Sequence, residues 1–325
     1  MTGPDPGPVL GIDTSAYTTS VAVLAPGGQV IDRRRVLPVP AGARGLRPSE
    51  AVWHQLQQLT DLLPAVLAGL AVPPAAVGVS VQPRPQPGSH LPPFAVGRLA
   101  AASVAAAWGC RLETVSHQEG HLAAGLWGLG LAPGSPAVPS RFYGLHVSGG
   151  TTELVQVEEE RPGHWRVAVV GATADLYAGQ LVDRVGVALG LPFPAGPGLE
   201  RLAAGAQAAV PLPVGPPRRD GGRWLISFSG PETAALRALA RGAEPAAVAR
   251  GVEAAVARGL AKLLATQPPG RVVVVGGVAA NLFVRRELVR RLGPVWEVGF
   301  GPPALSGDNA VGVAWLAARR AQAET

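Results

Sequence analysis

The chain of 325 residues carries one cysteine, Cys110, and one lysine, Lys262. A lone cysteine excludes an internal disulfide framework. Its only basic neighbour is Arg111, and it reads as a small apolar side chain rather than a nucleophile. No run of 18 or more apolar residues is free of glycine, proline or charge, so no membrane-spanning helix is expected. The opening MTGPDPGP has neither the basic start nor the apolar stretch of a signal peptide, and the expected location is the cytoplasm. No serine sits in a GxSxG elbow. The zinc-protease pattern needs an acid directly after its first histidine, and Gln118 occupies that place after His117, which disfavours protease chemistry.

What is present in excess is arginine. It supplies all but one of the 28 basic residues, and the net charge is +6. Guanidinium forks suit phosphate and permit a nucleic-acid partner. A GC-rich genome yields the same bias, and charge alone does not choose between the two. The 43 glycines and 33 prolines are spread between ordered-looking segments and read as many turns. The length suits two lobes. LAPGSPAVPS (131–140) is the best linker, giving an N-terminal lobe over 9–130 and a C-terminal lobe over 141–325, with the final helix returning to the first lobe.

VLGIDTSAYTTSVAVL (9–24) reads as strand, turn, strand, and QVIDRRRVLPV as a third strand. Apolar spacing from Val52 to Leu67 predicts a helix over 49–70 with Ser49 as its N-cap. A short strand then enters the proline-rich loop QPRPQPGSHLPPF (82–94), followed by a small-residue helix. FYGLHVSGGTTELVQV (142–157) repeats the first hairpin: Gly144 falls under Gly11, Ser148 under Ser15, and Thr151–Thr152 under Thr18–Thr19. Such a duplication suggests two related lobes facing one another across a cleft. Four valines, a Gly-Gly turn and a helix make up 271–288, and 304–321 opens into a last helix. Strands alternating with helices define an α/β class.

Several segments carry candidate chemistry. His117 and His121 lie four apart in SHQEGHLAAGLW and share a helix face, so both rings can reach one metal ion. Glu119 points elsewhere. Asp308, in SGDNA, is a third candidate ligand or equally an acid at a helix N-terminus. From spacing alone the metal site and the two-polar-residue reading both stand. The turn Ser148-Gly149-Gly150-Thr151 can cradle an anion or be an ordinary β-turn. Asn281, after Gly276-Gly277, can bond a base or ribose, or cap the helix. Ser229-Gly230-Pro231-Glu232 reads as a capping box.

The motifs GIDTS, HQEGH, VSGGTTELV, LVDRVGVALGLPFPAGPGLE, ISFSGPETAA, VVVVGGVAAN and SGDNAVGVAW occur in the order seen in the TsaD family, the tRNA N6-adenosine threonylcarbamoyltransferases. The resemblance spans nearly the whole chain. It implies a two-lobed, actin-like ATPase fold of the sugar kinase/actin superfamily. It also implies transfer of a threonylcarbamoyl group from an adenylate donor to N6 of the adenosine after the anticodon. By resemblance, His117, His121 and Asp308 bind one divalent metal, iron(II) or zinc. His146, Val147, Ser148, Gly149 and Gly150 form the donor-binding turn. Asp183, Gly196 and Asn281 meet the adenine nucleotide, ATP or threonylcarbamoyl-AMP. The implied partners are tRNA and TsaB-like and TsaE-like proteins, with pairing through the N-terminal lobe.

The sequence also departs from the family pattern. Where the first hairpin usually reads GIETSCDET, Ala16, Tyr17 and Thr18 replace Cys-Asp-Glu. Asp13 is then the acid left nearby to assist catalysis. The hairpin resembles that of TsaB, which lacks the histidine motif. Thr151 replaces the histidine of SGGHT. His146 stands where some relatives carry a tyrosine near the metal, as a fourth contact or a strand residue. The proline-rich loop replaces a glycine-rich segment. These changes keep two alternatives open: a nucleotide- and metal-binding paralogue without transfer, and a carbamoyl transferase with another substrate.

Overall fold

A computed structural model describes residues 7–15, 17–39, 46–86 and 88–323. Ala16, Pro87 of the proline-rich loop and the first six residues of the MTGPDPGP start lie outside the described residues. The chain divides into two compact units. The first takes the described residues up to Ser140, Glu159–Arg166 and those from Gly307 onward; the second takes Arg141–Glu158 and Val167–Ser306.

The first unit begins with β1 (Val9–Ser15), β2 (Thr18–Leu24), β3 (Val30–Val36), α1 (Pro48–Leu67), β4 (Ala76–Gln82), α2 (Phe94–Trp108), β5 (Arg111–Ser116) and α3 (His117–Gly128). Its sheet runs β3-β2-β1-β4-β5. β1, β2 and β3 pair antiparallel, while β4 and β5 continue parallel to β1. Every residue of β1 and β2 is buried, as central strands covered on both faces must be. Leu10, Ile12, Val21 and Val23 pack with Leu59 and Val66 of α1 and with Val96 and Ala101 of α2.

The helix expected over 49–70 starts one residue earlier, and Ser49 is not its cap. Pro48 occupies the first turn, where a missing N–H costs nothing. Arg47 is the N-cap residue, and its backbone N–H donates to the Glu50 carboxylate at 2.9 Å.

The second unit contains β6 (Arg141–Val147), β7 (Thr152–Arg161), β8 (His164–Thr173), α4 (Ala178–Ala188), α5 (Gly196–Ala204), β9 (Arg218–Asp220), β10 (Arg223–Ile226), α6 (Ser229–Ala240), α7 (Pro245–Leu264), β11 (Arg271–Val275), α8 (Leu282–Leu292) and β12 (Glu297–Phe300). The outer ends of β7 and β8 belong to the first unit. The sheet order is β12-β11-β6-β7-β8-β10-β9. Within it, β8-β7-β6-β11-β12 repeats the order of the first sheet. β6 and β7 form the antiparallel hairpin, and β11 and β12 the parallel extension. The duplication seen in one hairpin pair therefore extends over five strands of each sheet. The capping box expected at Ser229 does not form. Phe228 is the cap residue, Ser229 Oγ donates to Asp175, and Glu232 pairs with Arg184. Ser229 is the first residue of the helix rather than its cap, and its hydroxyl donates to the Asp175 carboxylate in a charge-assisted hydrogen bond.

The last helix, α9 (Val311–Gln322), belongs to the first unit and packs on α3, β1 and β4. The approach to α3 is backbone to backbone. A Cβ on Gly312 would collide with the Gly120 carbonyl oxygen and fall 2.6 Å from the Ala124 nitrogen. Trp315 anchors the helix from the middle, buried, with its indole N–H donating to the Leu131 carbonyl at 2.8 Å.

Candidate metal centre and nucleoside pocket

A capping box that the sequence reading did not pick out starts α3. Ser116 Oγ accepts from Glu119 N at 3.2 Å, and the Glu119 carboxylate accepts from Ser116 N at 2.7 Å. This capping box holds Glu119 at the helix start. It leaves His117 and His121, one turn apart, on a common face. The close α3–α9 contact then carries Asp308, just ahead of α9, onto that face.

Three ligand atoms converge there. His121 Nε2 lies 3.1 Å from His117 Nε2 and 3.3 Å from Asp308 Oδ1, and His117 Nε2 lies 3.4 Å from the same oxygen. Donor atoms bound about 2.1 Å from one ion stand roughly 3.0–3.4 Å apart, so the triangle has the dimensions of one face of a metal's coordination shell. Two imidazoles and a carboxylate are a donor set for a divalent transition ion. Among the described residues this is the one cluster of such groups. His121 is buried and His117 nearly so. Burial works against charge on the His117 ring, yet the Asp13 and Asp308 carboxylates beside it push its pKa up to about 10. Burial likewise raises the pKa of Asp308, but hydrogen bonds from His117 and His121 outweigh it and hold the carboxyl well below the ordinary carboxylate range.

Asp13 stands behind His117, not beside the ligand triangle. It is fully buried in β1, with Oδ2 at 3.1 Å and Oδ1 at 3.2 Å from His117 Nδ1. The proline-rich loop closes the neighbourhood: Gln118 N donates to the Pro83 carbonyl at 3.1 Å, and Thr14 Oγ1 to that of Pro93 at 3.0 Å. Arg34 of β3 donates to the Asp308 carbonyl at 3.3 Å and pairs with Asp32. Tyr17 is exposed, Thr18 at the start of β2 is buried, and neither side chain is a carboxylic acid.

The second unit holds the other candidates. His146 is buried at the end of β6, opposite Glu153 of β7 and Val275 of β11. The Val147 side chain lies in the core, so only its backbone is available to a ligand. Ser148 N donates to the Thr151 carbonyl at 2.7 Å and Gly150 N to Ser148 Oγ at 3.3 Å, which closes the turn. Two glycines fix its position. Gly276, at φ +95°, would drive a Cβ into the Val147 oxygen, and Gly179 of α4 would set one 2.5 Å from the Ser148 oxygen.

Gly149, Asp183, Gly196 and Asn281 line one cavity of about 310 Å³, near the lower bound for small-molecule sites. Asp183 accepts from Ala195 N at 2.8 Å, and burial raises its pKa. Asn281 is the N-cap of α8: Oδ1 accepts from Val284 N at 2.8 Å, and Nδ2 donates to Glu253 at 2.6 Å. The helix expected after the Gly276-Gly277 turn begins only at Leu282, behind a short 3-10 turn over Gly277–Ala280.

Two lining residues escaped the sequence reading. Glu200 sits one turn after Gly196 on α5, a spacing that could have exposed it; it accepts from Leu282 N at 2.7 Å. Glu253, inside α7, has no local signal. Burial pushes its pKa up to about 7 against the pull of Asn281 and Arg250. With three carboxylates and no cation on its wall, the cavity suits hydroxyl and amine donors rather than a phosphate. Three of the four arginines of α8 have partners within the second unit. Arg285 donates to the Ala279 and Gly301 carbonyls, and Arg290 and Arg291 both pair with Glu287.

The duplicated sheets define a protein of the actin-like ATPase and sugar-kinase fold, here bearing a two-histidine, one-aspartate centre. Solved structures agree on the fold. The chain superposes on HypF of T. kodakarensis with a TM-score of 0.62 at 15% identity, covering 98% of this chain and 48% of that one. It superposes on component A of the Acidaminococcus fermentans (R)-2-hydroxyglutaryl-CoA dehydratase with a TM-score of 0.57 at 17% identity, covering 97% and 99%. The family model described as TsaD, tRNA N6-adenosine threonylcarbamoyltransferase, matches residues 33–315, and the chain belongs to that family. Proteins of that name from Thermus thermophilus and Symbiobacterium thermophilum are 36% and 31% identical to it, each over 97% of this chain and 93% and 92% of theirs. No helix among the described residues is long and apolar enough to cross a membrane.

Proposed function

We propose that the protein transfers a threonylcarbamoyl group from threonylcarbamoyl-adenylate to N6 of the adenosine after the anticodon in tRNA, working in the cytoplasm. The observation that carries this reading is the His117–His121–Asp308 triangle, in a chain whose relatives are named for that transfer. His117, His121 and Asp308 would hold one divalent ion, iron(II) or zinc. When bound, such an ion supplies Lewis acidity to a carbonyl or phosphoryl oxygen.

The remaining roles fall to the second unit. Asp183, Glu200 and Glu253 offer acceptors for ribose hydroxyls, and Asn281 borders the same cavity. The exposed backbone of Gly149 and Gly150 meets the donor beyond the nucleoside, with Val147 and His146 fixing the strand that carries it. In the reaction the donor's bond between carbonyl carbon and phosphate oxygen breaks. A bond from N6 to that carbon forms, AMP leaves, and the amine loses a proton. An exocyclic adenine amine is a weak nucleophile, so carbonyl activation matters more than a strong base.

TsaB-like and TsaE-like partner proteins belong to this proposal. Trp53 and Leu56 of α1 and Leu99 of α2, 57%, 43% and 67% exposed, support pairing through the N-terminal lobe. The test is complementation. A bacterial strain depleted of its own transferase is given this gene with its genomic partners, and its tRNA is digested for nucleoside analysis. Restored threonylcarbamoyladenosine supports the reading. Absence of the nucleoside, with the protein folded and abundant, favours the paralogue without transfer, to which Tyr17 and Thr18 point.

A further inference from the structure

We propose that Asp13 is a positioning residue for the metal centre: its carboxylate holds the Nδ1–H of His117 and turns Nε2 toward the ion. The inference rests on the metal reading above and assigns Asp13 a task other than meeting substrate.

Three observations carry it. Asp13 is fully buried near the middle of β1, paired with β2 on one side and next to β4 on the other, so its carboxylate is sealed from solvent. Both of its oxygens lie within 3.1–3.2 Å of one atom, His117 Nδ1. Ser80 Oγ of β4 donates to Oδ1, a second hydrogen bond that holds the carboxylate in place. A buried carboxylate is costly unless paired and hydrogen-bonded. The partner here is an imidazole whose other nitrogen faces His121 and Asp308. An acceptor at Nδ1 requires the proton there, which leaves the Nε2 lone pair for the ion.

Metal-bound histidines commonly donate their second N–H to a carboxylate, and loss of that partner costs about 10–100-fold in metal affinity.

The experiment is a cobalt(II) titration of the full-length protein, followed by visible absorption, comparing wild type with Asp13→Asn, Ser80→Ala and His121→Ala. Asp13→Asn is expected to weaken cobalt binding by about 10–100-fold and to shift the absorption bands. Ser80→Ala, which loosens the carboxylate without removing it, is expected to weaken binding several-fold. It carries the test should Asp13→Asn lose its circular dichroism signal. A second readout is the ¹⁵N-histidine NMR spectrum of the zinc-loaded protein. A protected, downfield Nδ1–H from His117 is expected in wild type and not in Asp13→Asn. Wild-type affinity and spectrum in folded Asp13→Asn, with binding lost in His121→Ala, would overturn the positioning role and leave the metal site standing. Wild-type protein that takes up no cobalt would overturn the metal reading and this proposal together.

Discussion

His121 and Asp308 are 187 positions apart in sequence, yet Nε2 of one lies 3.3 Å from Oδ1 of the other. The pair joins α3 to the segment before α9, and it is the step that turns two histidines into a three-ligand site. Replacing either residue by alanine is expected to lower divalent-metal affinity by more than about 100-fold, beyond the range for outer partners. Metal content after purification, read by plasma mass spectrometry, checks it.

The same site depends on a residue that touches no ligand. Gly312 lets α9 meet the backbone of α3, and an added Cβ would strike main-chain atoms that have no flexible end to yield. Gly312→Ala is expected to cost about 2–3 kcal/mol and to weaken metal binding as Asp308 moves away. Thermal unfolding with and without zinc separates the effects: the stabilisation by zinc shrinks in the variant.

The nucleoside cavity gives an independent prediction. Glu200→Gln and Asp183→Asn each remove a charged acceptor facing it, and such hydrogen bonds contribute about 1.5–3 kcal/mol. Affinity for a non-hydrolysable ATP analogue is expected to fall about 10–100-fold, with little change in metal binding. Asn281→Ala is expected to reduce nucleotide affinity and also to destabilise α8 by about 1 kcal/mol through the lost cap. Calorimetry with the analogue provides the measurement.

Acid sensitivity should trace in part to Asp175. Burial works against its charge, but donors from Ser227, Ser229, Leu176 and Phe228 hold its pKa down to about 2 from the ordinary 3.8. A folded-state pKa below the unfolded value stabilises the protein above pH 3.8 and loses that contribution as pH falls toward 2. Asp175→Asn is therefore expected to melt a few degrees lower at pH 7 and to lose less further stability than wild type between about pH 4 and 2.5. Circular dichroism melts across that range check it.

Local rules read well wherever local chemistry had no rival. The four-residue spacing of His117 and His121 is visible in a dozen residues, and the structure uses it; the equally local Ser116–Glu119 box escaped the sequence reading. The hairpin likeness of Gly11 and Gly144 led to the duplicated sheets. Ser49 and Ser229 are not caps because each helix starts earlier than expected: Pro48 opens α1, and Ser229 is itself the first residue of α6, held by the distant Asp175. The pairing of Asp13 with His117 lies across 104 positions and between a strand and a helix, out of reach of any spacing rule. Glu253 was hidden for the same reason: an acid inside α7 becomes a pocket residue only when α8 folds against it.

The measurement that tests the central claim most directly is transfer with purified components: the protein, its genomic partners, threonylcarbamoyl-adenylate and a tRNA with adenosine after the anticodon. Mass spectrometry of the digested tRNA reads the product. The account predicts threonylcarbamoyladenosine from wild type and none from His117→Ala. Unmodified tRNA, in a mixture where a Thermus thermophilus relative yields product, would contradict it.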